Sequence, residues 1–193
     1  MRVFIAVLVL IFSLQSWTRA DDIHEFEIEG MSIGDSLLDF FSEEKIFERK
    51  KYEYKYNKIF STIGFPNENY NDYDKIQIHY KLNDKSKIIY GITGILYFDN
   101  KINECLKLKE KITSEFKLTL TNIQLNEHTF NHWADKKNNT KVYQAAFDFP
   151  SRASITIVCT DWSEELTKEK GWDDNLKVSI LSQEIADFFG SLN

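Results

Sequence analysis

Residues 75–98 read KIQIHYKLNDKSKIIYGITGILYF, and residues 141–161 read KVYQAAFDFPSRASITIVCTD. Each stretch is two runs rich in Ile, Val, Thr, Tyr and Phe around a short turn signal. The signal is Asn83-Asp84-Lys85-Ser86 in the first and Pro150-Ser151 in the second, which is the mark of a hairpin. Strands joined so tightly pair antiparallel, because a parallel crossover needs a dozen or more residues. Two hairpins with little strand–helix alternation predict an α+β fold, an antiparallel sheet built from hairpins with helices packed on one face. A doubly wound parallel sheet is the alternative.

Working outward, His24 to Glu29 alternates apolar and acidic residues and predicts a short strand. Ser32 with Asp35 three places on resembles a capping box, so a helix is expected there, with Ile33, Leu37, Leu38, Phe40 and Phe41 as its buried stripe. Tyr52, Tyr54 and Tyr56 alternate with charges, as in a strand. Gly64 to Asp74 reads as a loop. Lys101 to about Glu115 is the longest expected helix, Phe116 to Gln124 a further strand, and Asn126 to Thr140 a polar loop. Leu176 to Leu181 predicts the last strand. Ser182 then caps a final helix carrying Ile185, Phe188 and Phe189.

The chain has 193 residues, a formal charge of −6 and 42% hydrophobic residues, enough for a single core and too acidic for a nucleic-acid footprint. Residues 1–20 have the order of a secretory signal peptide: a basic start at Arg2, an apolar run from Val3 to Leu14, and a polar stretch ending at Ala20. That run is too short for a bilayer-spanning helix, which needs roughly 20 residues. The expectation is a signal peptide over 1–20, cleaved after Ala20, and one α+β domain over 21–193, periplasmic or secreted and not membrane-spanning.

Export gives the two cysteines a meaning. Cys105 lies on the apolar face of the long helix with Ile102, Leu106, Ile112 and Phe116. Cys159 alternates with Ser154, Thr156 and Thr160 on the side of Ile155 and Ile157. Both sulfurs then face one core, and in an oxidising compartment they are expected to form a disulfide.

Four groups of residues invite chemistry. Gly34-Asp35-Ser36-Leu37 spells the signature of the GDSL (SGNH) esterases and lipases. That resemblance implies Ser36 as nucleophile, with a histidine near the C-terminus as its base. Here the last histidine is His132, Asp-x-x-His occurs only as Asp21 to His24, and no Gly-x-Asn-Asp block exists. A serine hydroxyl without a base is a weak nucleophile, so the match reads as coincidence and Ser36 as a helical residue. His128 and His132, four apart, suit a metal if the stretch is helical, with Glu127 or Asp135 as the nearest further ligands; two exposed histidines in a loop are the simpler reading. Asp161, Glu164 and Glu165 resemble a glycosidase acid pair but equally fit the first turn of a helix begun by Ser163. Trp133, Trp162 and Trp172 lie in or beside polar segments, where aromatics either pack or line a binding surface. Asn138-Asn139-Thr140 is a glycosylation sequon, meaningful only in a eukaryotic secretory pathway.

Two further likenesses concern architecture. The plan of leader, the segment Phe26 to Leu38, Cys105 and Val158-Cys159-Thr160-Asp161-Trp162 resembles small exported proteins of marine alphaproteobacteria, a likeness that implies no activity. Gly30 to Leu38 is similar to the opening of small outer-membrane assembly lipoproteins, though the lipidated cysteine of that group is missing. The sequence therefore predicts an exported, non-enzymatic binding or interaction module without a cofactor, its partner a protein or small molecule. A serine esterase using Ser36 and a metal protein using His128 and His132 are the alternatives.

Overall fold

The computed structural model describes residues 22–49, 51–53, 59–67 and 70–191. The expected signal peptide, and the tyrosines at 54 and 56, lie outside these residues. The described residues begin with a 3-10 turn over Ile23–Glu25, then a small hairpin, β1 (Glu27–Ile28) and β2 (Met31–Ser32), followed by helix α1 (Glu43–Glu48). Four strands come next: β3 (Lys51–Glu53), β4 (Phe60–Pro66), β5 (Lys75–Lys81) and β6 (Ile89–Tyr97). The long helix α2 (Ile102–Thr119) leads to β7 (Gln124–Asn131), β8 (Lys141–Asp148) and β9 (Ser154–Asp161). Helix α3 (Glu164–Lys170), β10 (Asn175–Leu181) and helix α4 (Gln183–Gly190) complete the chain. Strands β3 to β10 form one sheet in the order β3-β4-β5-β6-β10-β9-β8-β7. Every pair is antiparallel, so two meanders join at the central β6–β10 pair. This is the expected α+β plan, and a doubly wound sheet is excluded.

The first face of the sheet carries Ile76 and Ile78, Ile92, Leu176, Val178 and Ile180, Ile155 and Ile157, and Ala145 and Phe147, all nearly inaccessible. At roughly 1.5–3 kcal/mol for each large aliphatic side chain buried, this layer dominates stability. Helix α2 packs on it against β9 and β10, with Ile112 and Phe116 turned inward. Cys105 on α2 and Cys159 on β9 are fully buried, and their sulfurs are at bonding distance, 1.99 Å apart. The segment from Phe26 to Leu37, which includes the hairpin, and α1 add Phe26, Ile28, Met31, Leu37 and Ile46 to the same core. Helix α4, capped by Ser182 as expected, lies across one end of the other face. There Ile185 and Phe188 meet Phe60 and Leu181. Gly91 permits this approach, since a Cβ there would come within 3.0–3.4 Å of His79, Leu181 and Ile185.

Several local expectations need correction. Ser32 does not open a helix. Asp35 does bond the Ser32 N–H (2.8 Å), but Gly34 between them takes φ +94, which breaks any helical path. Instead residues 34–37 run beside the start of β6, with Gly34 N–H to Ile89 O (2.9 Å), Ile89 N–H to Asp35 O (2.9 Å) and Leu37 N–H to Lys87 O (3.1 Å). The helical turns come later, at a 3-10 turn over Leu37–Asp39 and at α1, capped by Ser42. The expected loop from Gly64 begins inside β4, which ends at Pro66 where a missing N–H costs least. The expected strand from Phe116 is the last turn of α2, because Phe116 continues the buried face of Ile112. The strand lies further on, as β7, and takes in Asn126 to Asn131 of the expected polar loop. β7 is an edge with one neighbour and little burial, so its sequence is polar and lacks the apolar alternation that marks inner strands.

Candidate functional site

The sheet register builds the second face row by row. One row runs Lys75 (β5), Ile95 (β6), Lys177 (β10), Val158 (β9), Gln144 (β8) and His128 (β7). The next runs Gln77, Thr93, Ser179, Thr156, Ala146 and Asn126. Neither row contains a carboxylate. Lys75, Gln77, Lys177, Thr156 and Gln144 are half-buried. Among the described residues no hydrogen bond or ion pair reaches the Lys177 ammonium. The two lysines flank Ile95, so their Cα atoms stand about 10 Å apart, two inter-strand spacings. Lys75 leans away over Gly64, where a Cβ would meet its Cε at 2.8 Å. Lys177 is left at the centre. Desolvation, and then the like charge of Lys75, hold its ammonium below the usual lysine range. Beside it the Thr93 and Ser179 hydroxyls share one hydrogen bond of 2.8 Å. Two hydroxyls carry two donors, so one O–H of the pair stays uncommitted.

Aromatic groups close this face at both ends. Below, α4 brings the Phe189 ring to 5.3 Å from the ring of His79. His79 is buried and bonded to Thr62 (2.8 Å), and burial, followed by the field of Lys177, lowers it to about 4. Above, the His132 ring lies 4.5 Å from Trp162, which lies 4.5 Å from Trp172. Desolvation and then Lys177 lower His132 too, against the pull of Asp135. The field of Lys177 therefore reaches both ends. Asp135 builds the upper wall. Its carboxylate accepts from the N–H groups of Lys137, Asn139 and Thr140 and from the Thr140 hydroxyl at 2.8–3.0 Å. Trp133 is 81% exposed and Trp172 37% exposed, so this wall offers ring faces to solvent.

The residues singled out in the sequence are placed as follows. Ser36 Oγ donates to Ser86 O (2.7 Å) and accepts from the Leu38 N–H (3.2 Å). Its proton is held by a carbonyl and not by an imidazole. The nearby His24 ring is bonded through Nδ1 to Ile33 O (2.8 Å). Ser36 is a capping residue on a 3-10 turn, in place of the expected helical one. His128 lies on β7 and His132 just past its end. Along a strand, four residues span about 13 Å, so the helical spacing that suits one metal ion is lost. His132 Nδ1 instead accepts from the Ala134 N–H (3.2 Å). Among the described residues no three His, Cys, Asp or Glu side chains group as metal ligands. Ser163 caps α3, with Glu164 and Glu165 in its first turn. Glu165 pairs with Lys137 (2.7 Å) and Glu164 with Lys168 (3.4 Å), so these acids are engaged at the surface. Asn138 sits at an exposed loop position with φ 59.

A second cleft of about 470 Å³ lies between α2 and β7–β8, lined by Lys109, Thr113, Glu127, His128, Tyr143 and Gln144 among others. Of its two lysines, Lys109 and Lys117, the first is paired with Glu127 at 3.2 Å. No protein-family model matches this chain, and no curated protein or solved structure is significantly similar to it. Among the described residues no helix is long and apolar enough to cross a membrane.

Sequence reasoning noticed Trp162 and Trp172 but missed Lys177, Thr93 and Ser179. Lys177 alternates with Leu176 and Val178 like any solvated strand residue. Only the pairing of β10 between β6 and β9 shows that it stands mid-sheet, in a row with Lys75 and no acid.

Proposed function

We propose that this chain is an exported binding module, as the sequence suggested, and that its ligand sits on the second face of the sheet. The observation that carries the reading is an asymmetry of cover. Helix α2 and the N-terminal hairpin pack over the first face. On the second, α4 and the His132–Trp162–Trp172 cluster stand at the two ends. Between them lie Lys75, Gln77, Gln144, Thr156 and Lys177, half-buried and without a side-chain partner among the described residues, where a ligand's groups can replace water. Export is supported by the basic-apolar-polar order of residues 1–20 and by two cysteines at bonding distance, which suits an oxidising compartment. The exported alphaproteobacterial proteins it resembles are proposed as its kin on the same ground. The engagement of Ser36 with Ser86, and of Glu164 and Glu165 with lysines, supports a binding role over a hydrolytic one.

The test uses the intrinsic fluorescence of Trp162 and Trp172 during titration with organic acids, sugars and peptides. Saturable changes that vanish in Trp162→Ala support the reading. Ester hydrolysis that vanishes in Ser36→Ala would replace it with the esterase alternative.

A further inference from the structure

We infer that the second face binds an oxyanion carried on an apolar body, with Lys177 as its counter-charge. This rests on the reading of that face as the binding surface and names its ligand class. The first support is the missing partner. A half-buried ammonium is costly unless paired, yet no described side chain pairs with Lys177 and no carboxylate stands in its row or the next. The charged and titratable groups whose fields meet it, Lys75, His79 and His132, are cationic or neutral, so none supplies the compensating charge. An anion from solution does.

The second support is the donor set. The uncommitted hydroxyl of the Thr93–Ser179 pair stands in the row next to Lys177, while Gln77 and Gln144 lie two strands away on opposite sides. That hydroxyl offers a neutral O–H beside the oxygens that Lys177 would hold. Carboxylate and phosphate share this demand, one negative charge with several acceptor lone pairs. The third support is what surrounds the charge. The half-buried Val158 flanks Lys177 in its row, and the partly exposed Trp162 and Trp172 rings lie toward the upper end. An inorganic ion leaves these surfaces wet; a ligand with a hydrocarbon or ring body covers them.

The test is calorimetric titration of the purified protein with octanoate, octyl phosphate, inorganic phosphate and the neutral octyl glucoside. Wild type is compared with Lys177→Met and Lys177→Arg. The expectation is that both octyl anions bind more tightly than octyl glucoside or inorganic phosphate. Lys177→Met should weaken them at least tenfold and Lys177→Arg much less. Because Lys177→Met removes an unpaired charge, its thermal midpoint should hold or rise. A fall would make Lys177 a structural residue and overturn the inference. Octyl glucoside binding as tightly as the anions, unaffected by Lys177→Met, would overturn the anion while leaving the binding face intact. Inorganic phosphate binding as tightly as octyl phosphate would overturn the apolar body. No binding of any probe to wild type would overturn the inference, and the panel of sugars and peptides above then decides the wider reading separately.

Discussion

Replacing Cys105 and Cys159 together by alanine should cost this protein a large share of its stability. The two sulfurs join α2 to β9 across 54 positions of chain, and both residues are fully buried. In the chain-entropy description, opening a loop of this length frees the unfolded state by about 14 cal/mol/K, or about 4 kcal/mol at 25 °C. Losing two buried sulfur atoms adds roughly 1–2 kcal/mol of transfer free energy. Domains of this kind are stable by only about 5–15 kcal/mol, so the variant should approach the threshold of folding at 37 °C. Urea titration followed by tryptophan fluorescence measures this directly. The midpoint should fall steeply, and the m-value should rise because the uncrosslinked unfolded chain exposes more surface. Wild type in excess reductant should lose most of the same free energy. A loss below about 1 kcal/mol in both experiments, or two free thiols in protein taken from an oxidising compartment, would refute the reasoning.

His79 makes stability depend on pH. Its folded value of about 4 lies below the 6.5 of an exposed histidine, so the unfolded chain binds more protons in that window. Stability should be complete above about pH 6.5 and fall by up to about 3 kcal/mol as pH drops to 4; a flat melting temperature over that range contradicts this. Ser36→Ala removes a hydroxyl that ties residue 36 to Ser86 and Leu38. It should cost about 1 kcal/mol in urea titration and change no ester turnover. Gly94→Ala would drive a Cβ into the ring of buried Tyr73. A loss of about 1–3 kcal/mol is expected, and an unchanged urea midpoint would show that the ring moves aside freely.

The inner strands and the terminal helix were legible because burial on one face leaves a period-two or helical stripe. Ile76 and Ile78, Ile155 and Ile157, and Ile185 and Phe188 all carry it. The cysteine pair was legible for the same reason, each sulfur lying on an apolar stripe. Two elements escaped. The Ser32–Asp35 pattern resembles a helix start, but backbone bonds to Ile89 and Lys87, distant in sequence, decide its course. Strand β7 buries too little to leave a stripe. The candidate site is less legible still, since Lys75, Lys177, Thr93 and Ser179 come from three separated strands. The order of strands that assembles them is a tertiary fact. Trp162 and Trp172 were visible as aromatics in polar company, without any sign that their rings touch.

The central claim is that ligand is held on the second face, around Lys177. Amide and indole chemical shifts of the isotope-labelled protein, recorded as octyl phosphate is added, test it most directly. Shifts should concentrate on Thr93 and Ile95 of β6, Lys177 and Ser179 of β10, and the indoles of Trp162 and Trp172. Shifts confined to the cleft between α2 and β7, or to the turn around Ser36, would contradict it.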